Sequence, residues 1–174
     1  MADPMYSSEN PIGNLNDGVE ECDENCAFCI IANGACPDTD ILFDDGDIVC
    51  FQDIDPGATH HYLVIPKKHI HSCKSLEADD ISLVKKMAEI GRQILKEKNV
   101  TNFEDISLGF HVPPFITVPH LHLHVLAPFS QLSKGVSFKF RGYFYLTVEN
   151  MIQILEKKKG RLNIKLIKCL PSCI

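Results

Sequence analysis

Residues 120–126 read His-Leu-His-Leu-His-Val-Leu, three histidines at strict period two. An extended strand sends successive side chains to opposite faces. The imidazoles of His120, His122 and His124 then share one face, about 7 Å apart along the strand. Leu121, Leu123 and Val125 share the other. The apolar face asks for a core to pack on. The imidazole face asks for a cleft or a ligand, because fully buried histidines each need polar partners. Eight of the 174 residues are histidine, so three within five positions is not a product of composition.

The rest of the chain supplies a frame for that strand. Apolar residues make up 45% and charged residues 23% of the sequence, and 174 residues suit one domain with a real core. The net charge of −6 argues against broad binding to nucleic acid or to an anionic membrane. No apolar run approaches the roughly 20 residues of a membrane span. The N-terminus shows no secretory pattern, so the eight cysteines are expected reduced and the chain cytoplasmic, with the nucleus as a further compartment.

Residues 1–22 read as a disordered arm, 23–158 as one folded domain and 159–174 as a basic and apolar tail. Ile41-Leu42-Phe43 and Ile48-Val49-Cys50-Phe51 form two strands about the turn Asp44-Asp45-Gly46. A third strand, His61 to Ile65, places His61, Leu63 and Ile65 on one face. A helix is predicted over 78–98, with Val84, Met87, Ala88, Gly91, Ile94 and Leu95 on its apolar side and Asn99 as its stop. Ile106, Leu108, Phe110 and Val112 alternate inward on a strand that pairs antiparallel with the histidine strand. A short helix after the N-cap Thr147 ends at Gly160. The sum is an α+β fold, an antiparallel sheet of about five strands with one long helix and a short C-terminal helix.

An imidazole can attack phosphorus and form a covalent intermediate that water then cleaves. It needs one nitrogen as a lone pair, the other nitrogen held by an acceptor, and donors around the phosphoryl oxygens. His122, in the middle, is the candidate nucleophile. A single zinc ion held by all three histidines is disfavoured. Same-face neighbours roughly 7 Å apart cannot all reach an ion about 2.1 Å from each nitrogen.

The run His120 to Leu126 resembles the signature of the histidine triad superfamily. Phe28-Cys29-Ile30-Ile31, Phe51-Gln52-Asp53-Ile54 and His61-Tyr62-Leu63-Val64-Ile65-Pro66-Lys67-Lys68-His69-Ile70 are similar, in order, to segments of its Hint branch. The likeness spans residues 26–128 and implies the histidine triad fold in a homodimer or larger homo-oligomer. It implies a phosphoramidase that binds purine nucleotides and hydrolyses adenosine 5'-monophosphoramidates through a His122–AMP intermediate. His124 would contact phosphate and leaving group, and His120 and His61 would support the site. Asp53 would bind the ribose hydroxyls, and Phe28, Ile31, Phe51 and Ile54 would form the adenine slot. Thr117 would stand in for a phosphate-binding serine, within a segment Phe115 to Pro119 that replaces the branch's Gly-Gln-Ser. Residues Phe129 to Tyr145 replace the segment that shapes the acceptor side. No cofactor is needed for the chemistry. Cys26-Ala27-Phe28-Cys29 has metal-ligand spacing, and the resemblance implies a structural zinc on Cys26, Cys29, His61 and His120, with two reduced thiols as the other reading. Two further readings stay open: a nucleotide sensor without turnover, and removal of AMP from nucleic-acid ends as in aprataxin.

Overall fold

Asp44-Asp45-Gly46 closes the first hairpin through local hydrogen bonds. Asp44 Oδ1 accepts from Gly46 N, and Asp45 Oδ1 accepts from Asp47 N and Ile48 N. Gly46 has φ +94°, the left-handed region the turn requires. The computed structural model describes residues 23–168. The arm read over 1–22, and Cys169 and Cys173 of the tail, lie outside the described residues.

The strands are β1 (Ile41–Asp44), β2 (Ile48–Gln52), β3 (His60–Pro66), β4 (Ser107–His111), β5 (Leu123–Ala127) and β6 (Tyr145–Thr147). They form one sheet in the order β1-β2-β3-β5-β4-β6, every neighbouring pair antiparallel. The count is six where about five were expected. The extra strand, β6, is three residues long and offers no alternation to read. Its place depends on Gly109, where an added Cβ would lie 2.6 Å from Leu146 O and from the Tyr145 ring.

One face of the sheet carries the main core. Ile48, Cys50, Val64, Leu123 and Val125 pack there against α2 (Ile81–Glu97) and α4 (Val148–Lys168). Val84, Met87, Ala88, Gly91, Ile94 and Leu95 are all buried on α2, as their spacing requires. Residues 78–80 form a separate 3-10 turn ahead of it, and Asn99 at φ +61° ends it. Leu121, Leu123 and Val125 take the core side of the histidine run, each worth about 1.5–3 kcal/mol of burial.

Two expectations about the C-terminus need correction. The last helix is not short, and Gly160 does not stop it; α4 runs 21 residues through that glycine. A mid-helix glycine costs only about 1 kcal/mol against alanine, less than the packing of Val148, Met151 and Leu155 supplies. The 158/159 boundary is therefore not a break in structure. No helix among the described residues is long and apolar enough to cross a membrane.

The other face carries α1 (Ala27–Ala32) and the histidines. There Phe28, Ile31 and Ala32 pack on Val49, Phe51, Leu63 and Ile65. Residues 129–145 cross the same face through α3 (Lys134–Ser137) and several tight turns, then rejoin the sheet as β6.

Candidate active site

Register decides which histidines meet. β3 and β5 pair with His61 opposite Leu126 and Leu63 opposite His124. His61 and His124 therefore sit on one face, at one end of the pair. His120 and His122 precede β5, whose first residue is Leu123. The three imidazoles do not stand open along one strand, as the alternation suggested. His61, His120, His122 and His124 are all buried, between 1% and 6% exposed. The polar partners such burial demands are present, and they fix where each proton lies.

His120 Nε2 is 2.8 Å from Pro66 O, and His122 Nδ1 is 2.6 Å from His120 O. A carbonyl can only accept, so both nitrogens carry hydrogen. Nε2 of His122 then keeps its lone pair. Gly57 N–H donates to His61 Nδ1 at 3.0 Å, which puts the hydrogen of His61 on Nε2. That N–H faces His124 Nδ1 at 2.9 Å and Asp53 Oδ2 at 3.3 Å. His124 Nδ1 is thus an acceptor, and its hydrogen sits on Nε2. This N–H is buried and has no partner among the described residues. It is an unspent donor beside a lone pair, with the His122 and His124 rings 4.9 Å apart.

Burial holds all these imidazoles neutral. It pushes His122 and His61 below the usual histidine range, although Asp53 pulls both back up. His124 is driven well down by burial and then by the neighbouring imidazoles.

Sequence reasoning missed a fifth imidazole. His111, the last residue of β4, lies 4.4 Å from His124 ring to ring and stacks on Phe140. Its Nε2–H donates to Lys139 O at 3.1 Å, and burial pushes it down to about 4. The signal was available: Leu108, Phe110 and Val112 point inward, so His111 must point out. Register sets Gly109 opposite His124, so His111 shares the histidine face.

A cleft of about 660 Å³ opens beside these rings. Asp53, His61, His111 and His124 form its polar wall, and Phe115, Phe138, Phe140 and Phe144 its aromatic one. The segment 129–145 supplies much of that wall. Thr117 is exposed and lines the same cleft. Phe28 rests its ring edge-on against His122 at 5.2 Å and against Phe51 at 5.7 Å, with Ile31 in the same cluster. Ile54 differs from the other three residues read as an adenine slot. It is fully exposed at the cleft rim and does not pack with them.

His120 points the other way, into a second cluster. Its Nδ1 lone pair lies 3.5 Å from both Cys26 Sγ and Cys29 Sγ, and Cys29 Sγ lies 3.2 Å from His69 Nδ1. All four ligand atoms are within 4.8 Å of one another. A tetrahedral zinc with Zn–S of about 2.3 Å and Zn–N of about 2.1 Å has S···N edges of about 3.6 Å. The residues fit that ion, and the His120 Nε2–H bond to Pro66 O is the outer contact that orients such a ligand. The set read from the sequence is corrected in one member: His69 belongs to it, not His61. His61 lies at the far end of β3 and is engaged with His124 and Asp53. Two other groups, His111/His122/His124 and Asp53/His61/His124, also bring ligand atoms within 4.8 Å. His124 fits an ion poorly in both, since its Nδ1 is occupied and its Nε2 carries a proton.

Residues 25–137 match the family model described as "Scavenger mRNA decapping enzyme C-term binding". The chain is 61% identical over 150 residues to adenosine 5'-monophosphoramidase HINT3 of Danio rerio, covering 86% of this chain and 94% of that one. It belongs to the histidine triad superfamily. Another histidine triad relative, adenosine 5'-monophosphoramidase HINT3 of Mus musculus, is 47% identical over 139 residues, 78% of this chain and 84% of that one. Among solved structures, a HIT family hydrolase from Legionella pneumophila Philadelphia 1 superposes with a TM-score of 0.55 at 34% identity. That match covers 59% of this chain and 92% of the hydrolase. The histidine triad of this chain is thus split by its own geometry. His120 faces sulfur, while His124 lines the cleft with the His122 ring 4.9 Å behind it.

Proposed function

We propose that the protein hydrolyses adenosine 5'-monophosphoramidates by way of a covalent His122–AMP intermediate. The observation that carries this reading is the pairing of tautomers. His122 presents a lone pair at Nε2 because Nδ1–H is held by His120 O at 2.6 Å. Beside it, the buried Nε2–H of His124 has no acceptor among the described residues, and an anion would supply one. A phosphoryl oxygen satisfies that donor, and the phosphorus it belongs to meets the lone pair. The relatives' name, adenosine 5'-monophosphoramidase, points to the same chemistry.

In the first step the Nε2–P bond forms, and the P–N bond breaks with its electron pair on nitrogen. The nitrogen takes a proton from solvent in the cleft and leaves as the amine, and the proton lost by the attacking water in the second step restores the count. Water then attacks phosphorus, the electron pair returns to Nε2, and AMP departs. Asp53 is the ribose ligand in this reading. Its Oδ1 is held by Asp55 N–H at 2.9 Å, and Oδ2, which also lies 3.3 Å from His61 Nε2, has a second acceptor position for a hydroxyl donor. Phe28, Ile31 and Phe51 would pack the purine, with Ile54 closing over it at the rim and Thr117 offering a hydroxyl from the replaced loop. His61 is a positioning residue that fixes His124. Cys26, Cys29, His69 and His120 would hold a structural zinc, whose contribution is to tie α1 to the end of β3.

Mass spectrometry of protein quenched during turnover of an adenosine phosphoramidate tests the proposal. AMP is expected on His122. His122→Ala should lose the adduct and about 10⁴-fold or more of turnover while still binding AMP. Turnover by His122→Ala near the wild-type rate, or wild-type turnover with no adduct, would overturn it.

A further inference from the structure

We propose that His111 is the base that activates the water releasing AMP from His122. The inference rests on the His122–AMP reading and assigns a residue to its second step. It comes from counting lone pairs. Once phosphorus occupies His122 Nε2, that nitrogen is spent. His124 Nδ1 accepts from His61, His61 Nδ1 accepts from Gly57, and His120 Nδ1 faces two sulfurs. Of the five imidazoles around the site, His111 retains a lone pair, on Nδ1, with no hydrogen bond among the described residues, because its proton is held on Nε2 by Lys139 O.

Position agrees with the count. His111 lines the cleft, so water reaches it. One of its nitrogens lies within 4.8 Å of one nitrogen each of His122 and His124. In-line attack places the water opposite His122 Nε2, about 5 Å from it, when the attacking distance is about 3 to 3.5 Å. A base about 2.8 Å from that water closes a triangle with those sides. The stack on Phe140, 5.0 Å between centroids, and the bond to Lys139 O hold the ring in place.

The step balances. Water oxygen bonds to phosphorus, one water proton goes to His111 Nδ1, and the other stays on the new phosphate oxygen. The Nε2–P bond breaks with its pair returning to His122. The His111 imidazolium then gives its proton to solvent through the cleft. Burial keeps this imidazole neutral beforehand, at about 4, so its lone pair is available. A phosphate anion beside it pulls that value back up during the step, strengthening the base when it is needed.

The test separates the two half-reactions in the full-length protein. In His111→Phe, which keeps the stack on Phe140, and in His111→Gln, rapid quench should show AMP loading on His122 within a few-fold of the wild-type rate. Release of AMP by water should slow about 100-fold, so the adduct accumulates. Fluoride needs no proton removed, so its attack on the same adduct, giving adenosine 5'-phosphorofluoridate, should run near the wild-type rate. Water release within threefold of wild type in either folded variant overturns the assignment. So does equal slowing of water and fluoride, which marks a displaced phosphorus. If neither variant melts cooperatively, the ring is structural and the assignment falls. If the wild-type protein itself shows no adduct, it is the underlying phosphoramidase reading that fails.

Discussion

His120 and His122 are two residues apart, yet they belong to different chemistries. One cluster, Cys26/Cys29/His69/His120, turns a lone pair toward two sulfurs at separations that match the edges of a metal tetrahedron. The other, His61/His111/His122/His124 with Asp53, spends its protons and lone pairs on backbone groups and on one His61–His124 bond, and leaves lone pairs on His122 and His111 and a donor on His124 unspent. Burial lowers His120 in the first cluster and His61, His111, His122 and His124 in the second, so these imidazoles are neutral in both. What separates them is the group that holds the far nitrogen of each ring. The same side chain is left with a lone pair or with a donor according to the backbone carbonyl or amide on its other side.

The sharpest way to break this contrast is at the donor. His124→Ala should lower kcat about 10²- to 10³-fold, with zinc content unchanged. A loss of only a few-fold in a steady-state assay would remove the unspent N–H from the mechanism. A smaller effect sharpens the metal side. His69→Ala should weaken zinc binding at least about 10- to 100-fold, measured by competition with a chelator, whereas His61→Ala should keep the ion and lose turnover. Zinc lost equally from both variants would merge the two clusters.

The smallest effect concerns pH. His61, His111, His122 and His124 all have folded values below that of the unfolded chain. Below about 6.5 the unfolded state takes up protons first, so stability is fully present above that pH and falls as acid approaches the folded values. Urea midpoints should be flat from pH 7 to 8 and fall between 6.5 and 5, by on the order of 1 kcal/mol for each such group. A rising midpoint over that window would mean that these rings are charged in the native state.

Much of this was legible in the sequence because it depends on local pattern. The turn Asp44-Asp45-Gly46, the apolar stripe of α2, its stop at Asn99 and the pairing of β4 with β5 all follow from spacing and turn chemistry. What was not legible depends on register and on approach between distant segments. Choosing His69 over His61 as a partner for His120 requires knowing that Leu63 faces His124. In that register, antiparallel pairing carries His120 past the end of β3, toward His69. The histidines are covered by Phe28 on one side and Phe140 on the other, which lie 94 positions from His122 and 16 positions from His124 in the chain. Periodicity cannot report contacts of that range. β6 and the length of α4 escaped for the converse reason, since each has a weak local signal overruled by packing.

The hook that β6 makes onto β4 has one more implication. It fastens the aromatic segment 129–145 to the same sheet that carries the imidazoles, so rings, carboxylate and wall all travel in a single polypeptide. These cleft-lining groups all come from one chain. Each chain's specific activity should hold down to concentrations at which any self-association has dissolved.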